Sequence, residues 1–112
     1  MSARAQTWLW LAQRASAAIL AACVAVHLVT MVYAVRGGLS AAEILGRTRG
    51  SSAWFAFYAV FVVAVSIHAP IGLRAVISEW LRWRGRSLDG LLAALGLLLL
   101  WIGLRAALAV FA

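Results

Sequence analysis

The stretch GSSAWFAFYAVFVVAVSIHAPIGL, residues 50–73, lies between Arg49 and Arg74 and contains no charged side chain. A helix crossing the hydrocarbon layer of a bilayer needs about 20 mostly apolar residues. Only helices and closed barrels satisfy their backbone polar groups there. This run therefore reads as a membrane-spanning helix. Working outward, ASAAILAACVAVHLVTMVYAV at residues 15–35 fills the interval between Arg14 and Arg36 in the same way. A third run, GLLAALGLLLLWIGL at residues 90–104, follows Asp89, precedes Arg105 and continues apolar to Ala112. Arg105 lies near the far end of its span, where a long cationic side chain reaches the headgroups.

Composition agrees with these spans. Of 112 residues, 66% are hydrophobic and 12% charged, against about 25% charged in a soluble domain. The connectors at residues 36–50 and 82–90 are too short to fold into a catalytic domain. The expected architecture is all-α: one transmembrane domain over residues 1–112, an integral membrane bundle with helices over roughly 13–35, 51–80 and 89–111. Ser40, followed by Ala41, Ala42 and Glu43, is expected to cap one helical turn in the first connector. The first span is longer than the roughly 7–15-residue apolar region of a signal peptide and is read as a retained helix.

All of the cationic residues are arginines, and the formal net charge is +7. With alternating helices, Arg4, Arg14, Arg74, Arg82, Arg84 and Arg86 share one side, and Arg36, Arg47, Arg49 and Arg105 the other. The positive-inside rule then places the amino terminus in the cytoplasm. Juxtamembrane arginine accounts for the charge through membrane lipid, and no nucleic-acid partner is expected. Trp8, Trp10, Trp54, Trp80 and Trp83 mark the interfaces. Cys23 stands alone, which excludes a disulfide framework and thioether-bound haem.

Chemistry narrows to His27 and His68, each deep within a span, where an ionisable side chain is a functional signal by default. The plain alternative is an interhelical hydrogen bond. Gly72 follows His68 by one helical turn on nearly the same face, leaving room for a flat macrocycle, and Glu79 returns to that face further down. Arg74 lies off that face and about 9 Å lower, within reach of a propionate at the membrane edge. Histidine, gap and arginine form the pattern that a bound haem b needs. Pro70 removes a backbone donor and leaves the Ser66 carbonyl without its usual partner, so a bend just past His68 is expected. In the first span Ser16, Leu20, Cys23, His27 and Met31 share a face. Arg14 sits at the headgroup level, where it and Ser16 offer hydrogen-bond donors or simply end the helix.

Two segments carry a family resemblance. HAPIGLRAVISEW, residues 68–80, resembles the HxxxGxR motif, followed by an acidic and an aromatic residue, of the cytochrome b membrane-anchor subunits of succinate dehydrogenase and fumarate reductase. QRASAAILAACVAVHL, residues 13–28, is similar to that family's opening helix, with arginine and serine at its start and His-Leu further along. The resemblance implies a three-helix anchor in a bacterial inner membrane. His68 would be an axial ligand of haem b beside Gly72, and Arg74 its propionate partner. Arg14, Ser16, Glu79 and Trp80 would lie near a quinone site at the cytoplasmic end, Trp80 standing where tyrosine or phenylalanine is more familiar. His27 resembles the first-helix ligand of two-haem members. The implied partners are an iron–sulfur subunit, a flavoprotein subunit that owns the dicarboxylate chemistry, and a second membrane subunit or second copy supplying haem ligands.

Depth bears on the two histidines independently. His27 lies roughly 20 Å past Arg14, and His68 roughly 9 Å from Arg74 at the same side. Ligands of one iron share a depth, so the mismatch argues for two haems, each completed from another chain. Two functions follow as expectations: electron transfer between an iron–sulfur subunit and the quinone pool, or a haem-free structural or assembly anchor. A small transporter fits less well, because no inverted repeat is visible and the charges lie at the span ends.

Overall fold

The computed structural model of the chain describes residues 2–112, with helices α1 (Ala3–Arg36), α2 (Ala41–Thr48), α3 (Ser52–Trp80) and α4 (Arg86–Phe111). Three of these starts are set by serine. The hydroxyl of Ser2 accepts from the Ala5 amide at 3.1 Å, and that of Ser51 accepts from the Trp54 amide at 3.2 Å. Ser40 and Glu43 form a reciprocal capping box, so the turn expected after Ser40 is an eight-residue helix. The cap at Ser2 also explains why α1 begins at Ala3 rather than near Gln13: residues 7–12 are helix-compatible, and Ser2 satisfies an otherwise orphaned amide. Arg82, in the left-handed region at φ 54°, and Gly85, at φ 107°, make the sharp turn from α3 into α4.

Helices α1, α3 and α4, of 34, 29 and 26 residues, are each long and apolar enough to cross a membrane. At 1.5 Å per residue they run about 51, 44 and 39 Å, beyond a hydrocarbon core of about 30 Å. Few residues are buried within the chain, and large side chains such as Trp8, Val29, Leu97 and Trp101 face outward. In a bilayer that surface meets lipid or other membrane subunits.

Helix α3 is central, packing α1 on one side and α4 on the other, while α2 lies against α4. Glycine permits the α3–α4 contact. A Cβ built on Gly103 would lie 2.5 Å from Val62 Cγ1 and 2.8 Å from Cγ2. One built on Gly96 would meet the Ser66 carbonyl at 3.1 Å and Pro70 Cγ at 3.3 Å. Helix α3 runs unbroken through Pro70, and the Ser66 carbonyl that Pro70 deprives of a donor faces the backbone of Gly96. Close approach of this kind drives helix association where lipid removes the hydrophobic incentive.

Helix α4 is also tied at both ends. At one, the Thr48 hydroxyl donates to the Val110 carbonyl at 2.8 Å, and the Gly50 amide donates to the Phe111 carbonyl at 2.9 Å. At the other, Arg74 Nε donates to Asp89 Oδ1 at 2.7 Å. The three long helices therefore alternate in direction. The start of α1, the end of α3 and the start of α4 share the end that carries Arg14, Arg74, Arg84 and Arg86.

Candidate functional site

The one buried polar residue among those described, Ser16, lies in the seam between α1 and α3. His68 and Gly72, one turn apart on α3, face Gln13 and Ser16, three residues apart on α1. Ser16 is 4% exposed. Its hydroxyl donates to the Gln13 carbonyl at 3.1 Å and lies 3.5 Å from His68 Nδ1, at the weak limit for a hydrogen bond. A Cβ on Gly72 would lie 3.2 Å from Gln13 Nε2. Within this chain, then, the gap beside Gly72 is filled by a glutamine side chain. Gln13 Oε1 is buried with no hydrogen-bond partner. Such an orphan costs about 1–3 kcal/mol, and it marks a place where the chain alone is incomplete.

Arg74 lies about 120° round α3 from His68 at 100° per residue, and the structure turns it toward α4. Its ion pair with Asp89 is partly exposed, at 31% and 44% of the two side chains, and only Nε is used. The terminal guanidinium nitrogens therefore stay available to an anion.

His27 occupies the same seam nearer α2. Edge-to-face contacts hold its ring, with centroids 5.9 Å from Tyr58 and 5.7 Å from Phe61. Its Nδ1 is a second buried atom without a partner. It lines a cavity of about 160 Å³ together with Thr30, Arg47, Thr48, Trp54 and Tyr58. Ser16 is level with His68, so the eleven residues from Ser16 to His27 place the two imidazoles about 16 Å apart along α1. One iron cannot take both rings.

Axial ligation of a haem needs one imidazole on each face of the macrocycle, not a cluster of donors. His68 has one ring nitrogen near Ser16 and the other without a hydrogen bond among the described residues, and His27 has an orphaned nitrogen. Each would therefore suit the role of a single axial ligand, its counterpart supplied by another chain. No group of three His, Cys, Asp or Glu residues able to hold a bare metal ion occurs among the described residues.

The residues expected at the quinone are divided. Ser16 is buried in the seam, whereas Arg14, Glu79 and Trp80 are exposed, Trp80 at 81%. Arg14 stacks over the Trp10 ring at 5.4 Å. No hydrogen bond or ring contact among the described residues joins Arg14, Glu79 and Trp80 to Ser16. Gln13 is the member of the seam that the sequence reading passed over. Extending the stripe of Ser16, Leu20, Cys23 and His27 one turn toward the amino terminus reaches it.

The family model described as "Succinate dehydrogenase/Fumarate reductase transmembrane subunit" matches residues 1–104 of the chain. No curated protein and no solved structure matches it.

Proposed function

The chain belongs to the succinate dehydrogenase/fumarate reductase transmembrane subunit family, and from that premise we propose that it binds haem b and a quinone. In this reading it anchors an iron–sulfur and a flavoprotein subunit to a bacterial inner membrane. The greater arginine count at the end bearing the α1 start supports an amino terminus in the cytoplasm.

One observation carries the reading: His68 lies half-buried in the α1–α3 seam, with Ser16 beside one ring nitrogen and no hydrogen bond to the other among the described residues. Haem b, when bound, supplies a one-electron carrier between the iron–sulfur subunit and the quinone pool. His68 would hold it, and the Ser16 hydroxyl 3.5 Å from Nδ1 would help to orient the ring, as outer-shell partners do for ligating histidines. Arg74, the expected propionate partner, is held toward α4 by Asp89 and would turn from that pair to meet a propionate. His27, about 16 Å away along α1, would serve a second haem completed by another subunit or copy.

The quinone takes two electrons and two protons to become a quinol. Arg14, exposed at the headgroup level of the end that carries Glu79 and Trp80, would donate a hydrogen bond to a carbonyl as charge builds on the ring. Alternatively, Ser16 would do so by giving up its bond to the Gln13 carbonyl.

A second reading, a haem-free structural anchor, is favoured by the Gln13 side chain over Gly72 and by the aromatic cage of His27. Reduced-minus-oxidised spectra of the assembled complex separate the two. His68→Ala is expected to abolish a b-type signal while the iron–sulfur and flavoprotein subunits still co-purify. An unchanged spectrum, or no b-type signal in the wild-type complex, rejects the haem.

A further inference from the structure

Two cavities meet at the Arg74–Asp89 pair, on the face of α3 and α4 away from His68. The first is a groove of about 710 Å³ between the two helices. Its walls are apolar, built from Val63, Ile67, Ile71, Leu92, Leu97 and Leu100, with Arg74 and Asp89 at its mouth. The one other polar residue there, Ser66, spends its hydroxyl on the Val62 carbonyl at 2.7 Å. The second is a polar pocket of about 580 Å³ at the end of the bundle, which shares Arg74 and Asp89 and adds Ser78, Arg84 and Arg86.

We propose that this face binds one anionic phospholipid, an acyl chain in the groove and the phosphate in the arginine-lined pocket.

Charge is the first reason. Arg74 and Asp89 neutralise each other across 2.7 Å, which leaves Arg84 and Arg86 as an unbalanced pair of cations in the pocket. A phosphodiester supplies the matching anion, and guanidinium binds phosphate oxygens with two parallel N–H groups.

Length is the second. From Asp89 at the mouth to Leu100 at the far wall is eleven residues, about 16 Å along α4. That is close to half of the roughly 30 Å hydrocarbon thickness, the depth of one leaflet. The third reason is level: the pocket lies where α3 ends and α4 begins, the depth of headgroups in any bilayer these helices cross. A polyprenyl tail would fill the groove but make no use of the two arginines, and a partner helix would supply no phosphate. Neither His68 nor Ser16 lines either cavity, and Arg84 and Arg86 have no part in the proposed haem site, so the two readings fail separately.

The test is native mass spectrometry of the full chain in its assembled complex, titrated with phosphatidylglycerol or with phosphatidylcholine of the same acyl chains. The wild-type complex is expected to retain one phosphatidylglycerol in preference to phosphatidylcholine. Arg84→Gln with Arg86→Gln, both at exposed positions, is expected to weaken phosphatidylglycerol binding on the order of tenfold and leave phosphatidylcholine unchanged. Ala93→Trp, which fills the groove wall, is expected to weaken both lipids, with the mass of the intact complex reporting assembly in the same spectrum. Equal retention of the two headgroups overturns the proposal. So does phosphatidylglycerol binding that survives the paired arginine change, competition by added quinone, or displacement by inorganic phosphate with no effect of Ala93→Trp.

Discussion

Replacing Gly103 by alanine tests the packing on which the bundle rests. The added methyl would stand 2.5, 2.8 and 3.2 Å from Cγ1, Cγ2 and Cβ of Val62, whereas carbon atoms rest about 3.5–4.0 Å apart. The shortest approach is thus roughly 1 Å too close. Val62 cannot swing away, because a β-branched residue in a helix has one strongly preferred rotamer. Nor can the helices slide freely, since Thr48 to Val110, Gly50 to Phe111 and Arg74 to Asp89 fix both ends. The helices must separate locally, and overpacking of this kind costs about 1–3 kcal/mol. At about 2 kcal/mol the ratio of folded to unfolded protein falls roughly 30-fold.

The assay is detergent-driven unfolding of the chain in micelles, read by energy transfer between dyes on α3 and α4. Val62→Ala removes both methyls that clash, so Gly103→Ala placed on that background should regain at least 1 kcal/mol of the loss as coupling, to order of magnitude. By contrast, Gly72→Ala meets only the movable end of Gln13 at 3.2 Å and should lie within about 0.5 kcal/mol of wild type. A Gly103→Ala protein as stable as wild type, or one that Val62→Ala fails to rescue, refutes the reasoning.

Gln13→Met keeps much of the side-chain shape and deletes the buried, unpartnered Oε1; the isolated chain should gain about 1 kcal/mol in the same unfolding assay. His27→Phe preserves the edge-to-face contacts with Tyr58 and Phe61. It should leave stability within about 1 kcal/mol while removing one of two b-type components in a redox titration of the complex. Thr48→Val loses the 2.8 Å bond to Val110. A cost of about 0.6 kcal/mol is expected, with faster hydrogen exchange over the last turn of α4. Asp89→Asn breaks a half-exposed ion pair and should cost less than about 1 kcal/mol, a difference that shrinks as salt is raised.

The spans were legible because hydrocarbon acts on composition: a run without charge between two arginines has one stable fate when backbone groups must pair internally. The cap at Ser40 was equally local, since it depends on a side chain and an amide three residues away. The resemblance of residues 68–80 to a membrane-anchor motif pointed to the family that residues 1–104 match.

Which neighbour each face meets was another matter. Helical period put His68 and Gly72 together, yet only packing showed Gln13 over that glycine, Arg74 turned to Asp89, and His27 caged by Tyr58 and Phe61. In water, a helix's apolar stripe points to the core and announces its rotation. In a bilayer, lipid is as apolar as the interior, so Leu and Val carry no such signal, and rotation is decided by where Gly96 and Gly103 let backbones touch. Sequence therefore determined how many helices are long and apolar enough to cross, while tertiary structure decided which way they turn.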